Sequence, residues 1–359
     1  MFKSRRGLLA AGLAVAVVGA IGIASTLNAG ADQIPGAASA KPSTKSALKP
    51  PANLPWGEAP VSVKRGRDGA TSKSLKSSGL SAAAPGVGGT EGGDEYAPKG
   101  RTSKTSFLKS EKTTVVPPAT AADSAVPPEP VATSSSASTS DTTTVNFFYN
   151  VGMQVAESEA AYANLTIGKP TLDKADYHSL AEVAVQSADS AQIVEVGWTV
   201  DRVVNGDDDP HLFVYHWVNK ESTCYNGCGF VQYSSTIKPG DTLTQDTAKR
   251  FGIQYFNGAW WIAYDSEWVG YFPDSLWEGI TFQKSGIVQV FGEVAASSAT
   301  PCTQMGNGLS GEDTSSAKVG SVTYLNGPTV DIAVRTTSEY YTPVSLSTRT
   351  YRYGGPGAC

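Results

Sequence analysis

Two glutamates stand in sequence contexts that suit chemistry. Glu195 lies in IVEVGWTV and Glu293 in IVQVFGEVAA. Both stretches alternate as strands do. In the first, Val194, Val196, Trp198 and Val200 share one face, and Ile193, Glu195, Gly197 and Thr199 share the other. In the second, Val288, Val290, Gly292 and Val294 lie opposite Gln289, Phe291 and Glu293. Each carboxylate therefore points away from a valine stripe that should be core. A glycine near each carboxylate, Gly197 and Gly292, would let a peptide backbone approach closely. Two carboxylates converging on one water suffice for amide hydrolysis. The ionised one takes a proton from water, and the protonated one polarises the carbonyl or donates to the leaving nitrogen. Two negative charges held close resist full ionisation, which predicts an acidic activity optimum. The plainer account of a glutamate on the outer face of a strand is solvation.

Other residues could assist. Phe213, Tyr215 and Trp217 alternate along HLFVYHWV. Tyr215 and Trp217 are candidate substrate-binding residues for proline rings or sugars, with core packing as the alternative. Gln232 and Gln289 could donate to a developing oxyanion. Asp207, Asp208 and Asp209 read as a solvated hairpin tip rather than a calcium loop. His178, His211 and His216 are the only histidines, and neither a GxSxG elbow nor an HExxH helix occurs. Serine-triad and zinc-hydrolase chemistries thus lack their usual parts, and neither a cofactor nor a metal is expected.

The elements that must position these residues are short β-rich runs separated by turn residues, from Val145 onward. Asn257-Gly258 within FNGAWWIAYD is a hairpin signal. Only PDSLWEGI and residues 245–249 read as helical, and both are short. Many strands, little helix and no β–α alternation predict an all-β antiparallel sandwich of two sheets, with a cleft on one face.

Composition divides the 359-residue chain. Residues 1–31 read as an export signal: Lys3, Arg5 and Arg6, an apolar stretch over 8–24, and Ala29-Gly30-Ala31 as a cleavage site. SRRGLL resembles a twin-arginine signal, and general secretory export is the alternative. Residues 32–140 are rich in Ser, Thr, Pro and Ala and read as a disordered linker or pro-segment. Residues 141–359 form the expected globular domain. Up to residue 140 there are 16 Lys and Arg against 9 Asp and Glu, and after it 12 against 24. A basic tail on an acidic domain suits a secreted, extracellular protein resting near an anionic surface such as a cell wall, and lysines that only keep a linker soluble are the plainer account. Its expected partner is a peptide or protein substrate, with no nucleic acid and no membrane once the signal is removed. The domain is expected to be a monomer. Four cysteines fit an oxidising compartment. Cys224 and Cys228 enclose three residues and should close a local loop, leaving Cys302 and Cys359 to pair. A four-cysteine zinc site would need knuckle spacing that is absent.

VEVGWTVDR, GDDDPHLFVYHWVN, CYNGCGFVQ, WWIAYDSEWVGYFPDSLW, VQVFGEV, CTQMGNG and YRYGGPG, in that order, resemble the neprosin family over roughly residues 160–359. That resemblance implies a β-sandwich glutamic peptidase with catalytic glutamates at Glu195 and Glu293, and a local Cys224–Cys228 disulfide. It further implies cleavage after proline, although the CYNGC loop looks shorter than in plant members and the N-terminal region does not resemble their pro-segment. Three functions follow as expectations: a glutamic endopeptidase, a non-catalytic module binding wall polymer or protein through its aromatic face, and a glycoside hydrolase.

Overall fold

The computed structural model describes residues 48–62, 114–116 and 145–359. The export-signal reading of residues 1–31 lies outside them. From Lys49 onward the described residues belong to one compact unit.

The alternating runs pair into two eight-stranded antiparallel sheets. The first runs, in spatial order, β1 (Thr114–Val116), β14 (Ala333–Thr336), β2 (Asn146–Ser158), β12 (Ser285–Ala296), β4 (His178–Gln186), β5 (Ile193–Val200), β6 (His211–Val218) and β7 (Glu221–Ser222). The second runs β15 (Val344–Ser347), β16 (Thr350–Tyr353), β13 (Ala317–Leu325), β3 (Ala160–Ile167), β9 (Thr247–Tyr255), β10 (Ala259–Tyr264), β11 (Glu267–Pro273) and β8 (Val231–Gln232). Among the described residues helix is confined to α1 (Arg202–Asn205) and a 3-10 turn, Asp274–Trp277, within the expected PDSLWEGI segment.

The valine faces find each other. Val194, Val196, Trp198 and Val200 of β5, with Val288, Val290 and Val294 of β12, enter one apolar cluster. Leu165, Phe251, Ile253, Trp260 and Ile262 of the second sheet join it. This is the two-layer core that alternation predicts. Asn257 and Gly258 connect β9 to β10 with φ of 49° and 79°, the positive pair that a type I′ hairpin requires.

Three local expectations change. Residues 245–249 are not helical. Thr247, Ala248 and Lys249 pair with Ile167, Thr166 and Leu165 of β3, so sheet pairing overrides weak local propensity. The helix that does form, α1, begins where Asp201 Oδ1 accepts from Val204 N at 3.0 Å, an N-terminal cap. Part of the stretch read as linker or pro-segment, 49–62, is packed on the second sheet. Leu54 is buried there, and Trp268 Nε1 donates to Pro51 O at 3.2 Å. Trp56 meets the Tyr162 ring edge-on, with the Arg250 guanidinium 5.1 Å from its own ring centroid. Low complexity over the whole stretch hides this Leu54-Pro55-Trp56 cluster.

His216 lies on the core side of β6, its ring 4.7 Å from that of Phe272 and 5.7 Å from that of Trp277. Burial pushes its imidazole from 6.5 down to about 4. The unfolded chain gains this proton as pH falls through 6.5, and the folded chain does not until about 4. Stability therefore falls across that window and levels off below it, by up to about 3 kcal/mol. Denaturant unfolding near pH 7 and pH 4.5 should show a smaller drop for His216→Phe than for the native chain. Equal drops would refute the assignment.

Candidate active site

The face of the first sheet that looks away from the shared core is itself buried. Tyr149, Leu180, Ala184, Ile193, Phe213, Tyr215, Trp217 and Phe291 form a second apolar cluster there, joined by Val204 of α1 and by Tyr225. Glu195 and Glu293 are both on this face and both have 0 % exposure. Solvation is therefore not what they are for.

The register locates them. Glu195 on β5 faces Ala184 of β4, and Glu293 on β12 faces Leu180 of the same strand. They are two strands and four residues apart. At about 4.8 Å per strand and about 3.3 Å per residue, their Cα atoms are roughly 16 Å apart. A third carboxylate, Glu182 of β4, fills the interval. It faces Gly197 on one side and Phe291 on the other, so it is one diagonal step from each of the other two glutamates. Diagonal neighbours of this kind are about 7–8 Å apart. Glu182 is also fully buried. Its signal in the sequence is a charged residue inside the apolar run SLAEVAVQ, on the face that alternation gives to Leu180 and Ala184.

Each outer carboxylate is held by a neighbour. Trp217 Nε1 donates to Glu195 Oε2 at 3.1 Å. His178 Nε2 lies 2.6 Å from Glu293 Oε1, a contact that needs a proton between the two atoms. The other ring nitrogen of His178 is 3.9 Å from Asp201 Oδ2, and both side chains are fully buried. Glu293, His178 and Asp201 thus form a carboxylate–imidazole–carboxylate line on this face.

The remaining candidates separate. Tyr215 pairs directly with Glu195 across β5 and β6 and is buried. Its phenol is pushed up, first by burial and then by the Glu195 charge. Gln289 shares this face, is buried, and accepts a hydrogen bond from Gln186 Nε2. Gln232 is in the other sheet, on β8, and its amide donates to Ser234 O and Ile237 O, both at 2.7 Å. It shapes a turn, and the structure does not bring it to the carboxylates. The aspartates of the 207–209 tip are each engaged: Asp207 by His211 at 2.7 Å, Asp208 by Arg202, and Asp209 by Lys169 at 2.6 Å. Among the described residues no group of His, Cys, Asp and Glu is arranged to hold a metal ion. A groove of about 500 Å³ on the second sheet, lined by Trp56, Tyr162, Arg250 and Arg349 among others, is remote from the glutamates. Its Arg250 is already paired with Glu58 at 2.8 Å.

The two glycines serve the fold rather than a substrate. A Cβ on Gly197 would lie 2.1 Å from Ala181 O and 2.8 Å from Glu182 Cα. One on Gly292 would lie 2.3 Å from the Tyr353 ring. The close approach is made by β4 and by the core tyrosine. Gly197→Ala should force β4 and β5 apart between Glu182 and Glu195, at about 3 kcal/mol or more. Thermal unfolding checks this, and an unchanged midpoint would contradict it.

Both disulfides are formed as the spacing suggests, Cys224–Cys228 and Cys302–Cys359. The family model described as Neprosin matches residues 175–356. The chain belongs to the neprosin family. That match covers every strand from β4 to β16, and with them all three glutamates of this face. Solved structures similar to this neprosin-family chain include scytalido-glutamic peptidase with a transition state analog inhibitor. It is 10 % identical, covering 59 % of this chain and 100 % of that one, with a TM-score of 0.34. SCP-B of the eqolisin peptidases, in a complex with the tripeptide Ala-Ile-His, is 10 % identical over the same shares, at 0.32. The chicken liver agglutinin CG-16 is 10 % identical, covering 41 % of this chain and 93 % of that one, at 0.26. Likenesses this distant carry no argument about chemistry. Membership of the neprosin family supports a peptidase acting on peptide or protein. Among the described residues no helix is long and apolar enough to cross a membrane.

Proposed function

We propose that the chain is a secreted glutamic endopeptidase in which Glu195 and Glu293 supply acid and base, with Glu182 on the diagonal between them. The observation that carries this reading is the burial of three carboxylates on one sheet face of a neprosin-family chain. Water activation needs one carboxyl ionised and another protonated, roles that neighbouring buried glutamates on one face can divide between them. That is the equipment for hydrolysis by an activated water. The water gives a proton to the ionised carboxylate as its oxygen bonds to the carbonyl carbon, and the C=O π pair moves onto oxygen. The tetrahedral species collapses as the C–N bond breaks. The protonated carboxyl gives its proton to the departing nitrogen, leaving an acid and an amine. The proton has then changed sides, and Glu182 is placed to return it.

Tyr215 and Trp217 flank Glu195 and offer aromatic faces that suit a proline ring, so a preference for proline near the scissile bond is part of the proposal. Substrate reaches fully buried glutamates only after something covering them moves, so the described conformation is the closed one. Residues 1–31 act as the export signal in this reading, and 32–140 as a linker or pro-segment whose stretch 49–62 packs on the second sheet. The secreted domain works as a monomer.

The test is turnover of a denatured protein and a proline-containing peptide library from about pH 3 to about pH 7, the range where carboxyl groups exchange acid and base roles. Activity on glycans without activity on peptides would refute the reading. So would peptide turnover that survives in both Glu195→Gln and Glu293→Gln.

A further inference from the structure

Tyr225 is placed by a covalently closed loop. Cys224 and Cys228 bracket it, with Cα atoms 5.8 Å apart. The next residue locks the loop to β6: Asn226 N donates to Val214 O at 3.0 Å, and Val214 N donates to Asn226 Oδ1 at 3.1 Å. The phenol ring leans edge-on against Phe213 and Tyr215, at 5.5 and 5.2 Å between centroids. Its side chain is buried and enters the cluster that holds the glutamates. Its hydroxyl has no hydrogen-bond partner among the described residues. A buried hydroxyl left so costs about 1–3 kcal/mol, so its retention calls for a use.

The surroundings say what that use is. Burial, and then the charges of Asp201 and Glu293, with Tyr215 and Glu182 behind them, hold the phenol well above its ordinary range. The group is therefore a neutral O–H, a donor with carboxylates in its neighbourhood. An amide under attack needs such a donor at its carbonyl oxygen, where negative charge develops. Two donors that meet the outer glutamates are already engaged, and the Thr199 hydroxyl, on β5 itself, is not carried by a disulfide-closed loop as Tyr225 is. Trp217 Nε1 is on Glu195 and His178 Nε2 is on Glu293. A disulfide-closed loop gives the rigidity that a preorganised donor needs.

We propose that Tyr225 is a catalytic residue that donates its phenol hydrogen bond to the carbonyl oxygen of the scissile peptide, strengthening as that oxygen becomes an oxyanion. This rests on the peptidase reading above. No proton leaves Tyr225 in the step. Its O–H stays intact while water adds to carbon, and the hydrogen bond is released when the carbonyl re-forms.

The experiment is Tyr225→Phe in the full chain, processed as the native protein is. Loss of one such donor should lower kcat about 10²–10³-fold with little change in KM. Removing an unpartnered buried hydroxyl should leave the thermal midpoint unchanged or raise it. A second measurement separates catalysis from packing. Affinity for a phosphonate peptide, which carries tetrahedral oxygens, should fall by a similar factor, and affinity for the matching peptide product of cleavage should not. Native-like kcat in the variant, or equal losses for both ligands, overturns the inference. If Glu293→Gln is inactive while Tyr225→Phe is fully active, the peptidase reading stands and this proposal alone falls.

Discussion

Glu293→Gln is expected to lower kcat by about 10²–10⁴-fold while the chain stays folded, the range over which a positioned acid or base contributes. The amide keeps the shape of the carboxyl and can still meet His178, which lies 2.6 Å away. What it cannot do is accept or deliver a proton. Glu195→Gln should behave similarly, retaining the Trp217 hydrogen bond at 3.1 Å through its amide oxygen. Thermal midpoints near native are expected in both, because removing one of several buried like charges relieves repulsion while hydrogen bonding persists. The informative third variant is Glu182→Gln. Were Glu195 and Glu293 to share one water directly, it would be nearly silent. With two strands and four residues between them, at least about a tenfold loss in kcat is expected from losing the intermediate carboxyl. Single-turnover rates for the three variants decide between these pictures.

Most of this site lay within reach of alternation and family resemblance, and the part that did not has a physical cause. Period-two reading puts Glu195, Gly197 and Thr199 opposite the β5 valines, and the cluster memberships agree. It fails to say that the outer face is buried, because burial depends on what lies over a face. The signal was nevertheless present: β4, β5, β6 and β12 are nearly continuously apolar, as strands covered on both sides are. Glu182 was one such apolar-run residue, and recognising it needed the pairing of β4 with both β5 and β12. β12 comes about a hundred residues after β4 in the chain. His178, Asp201 and Tyr225 come to the neighbourhood of the glutamates from three separate segments, a turn cap and a disulfide loop among them. No local pattern joins them. The glycines show the reverse: the local pattern signals a need for close approach and points to substrate, whereas Ala181 and Tyr353 fill the space.

Removing the Cys302–Cys359 disulfide by a double Cys→Ser change should cost about 4 kcal/mol on the chain-entropy account, since the bridge spans 57 residues. For a domain of this size that is a fall in thermal midpoint of roughly 8–16 °C. The functional consequence should exceed the stability loss. The bridge holds down the tail that follows β16, and β16 carries Tyr351 and Tyr353 into the core. Tyr351 Oη donates to Val290 O at 2.6 Å, three residues from Glu293 on the same strand. The Tyr353 ring fills the space left by Gly292, immediately before Glu293. Gly354 N, just beyond it, donates to Asn150 Oδ1 at 3.3 Å, on the strand that flanks β12. Loosening this tail therefore loosens the floor beneath one catalytic glutamate while leaving β5 and Glu195 untouched. At a temperature where the variant is still folded by circular dichroism, kcat is expected to fall several-fold, and hydrogen exchange should rise in β12 and β16 before it rises in β5. A variant that loses stability with native kcat and unaltered exchange in β12 would show that the C-terminal bridge supports the fold without supporting the site.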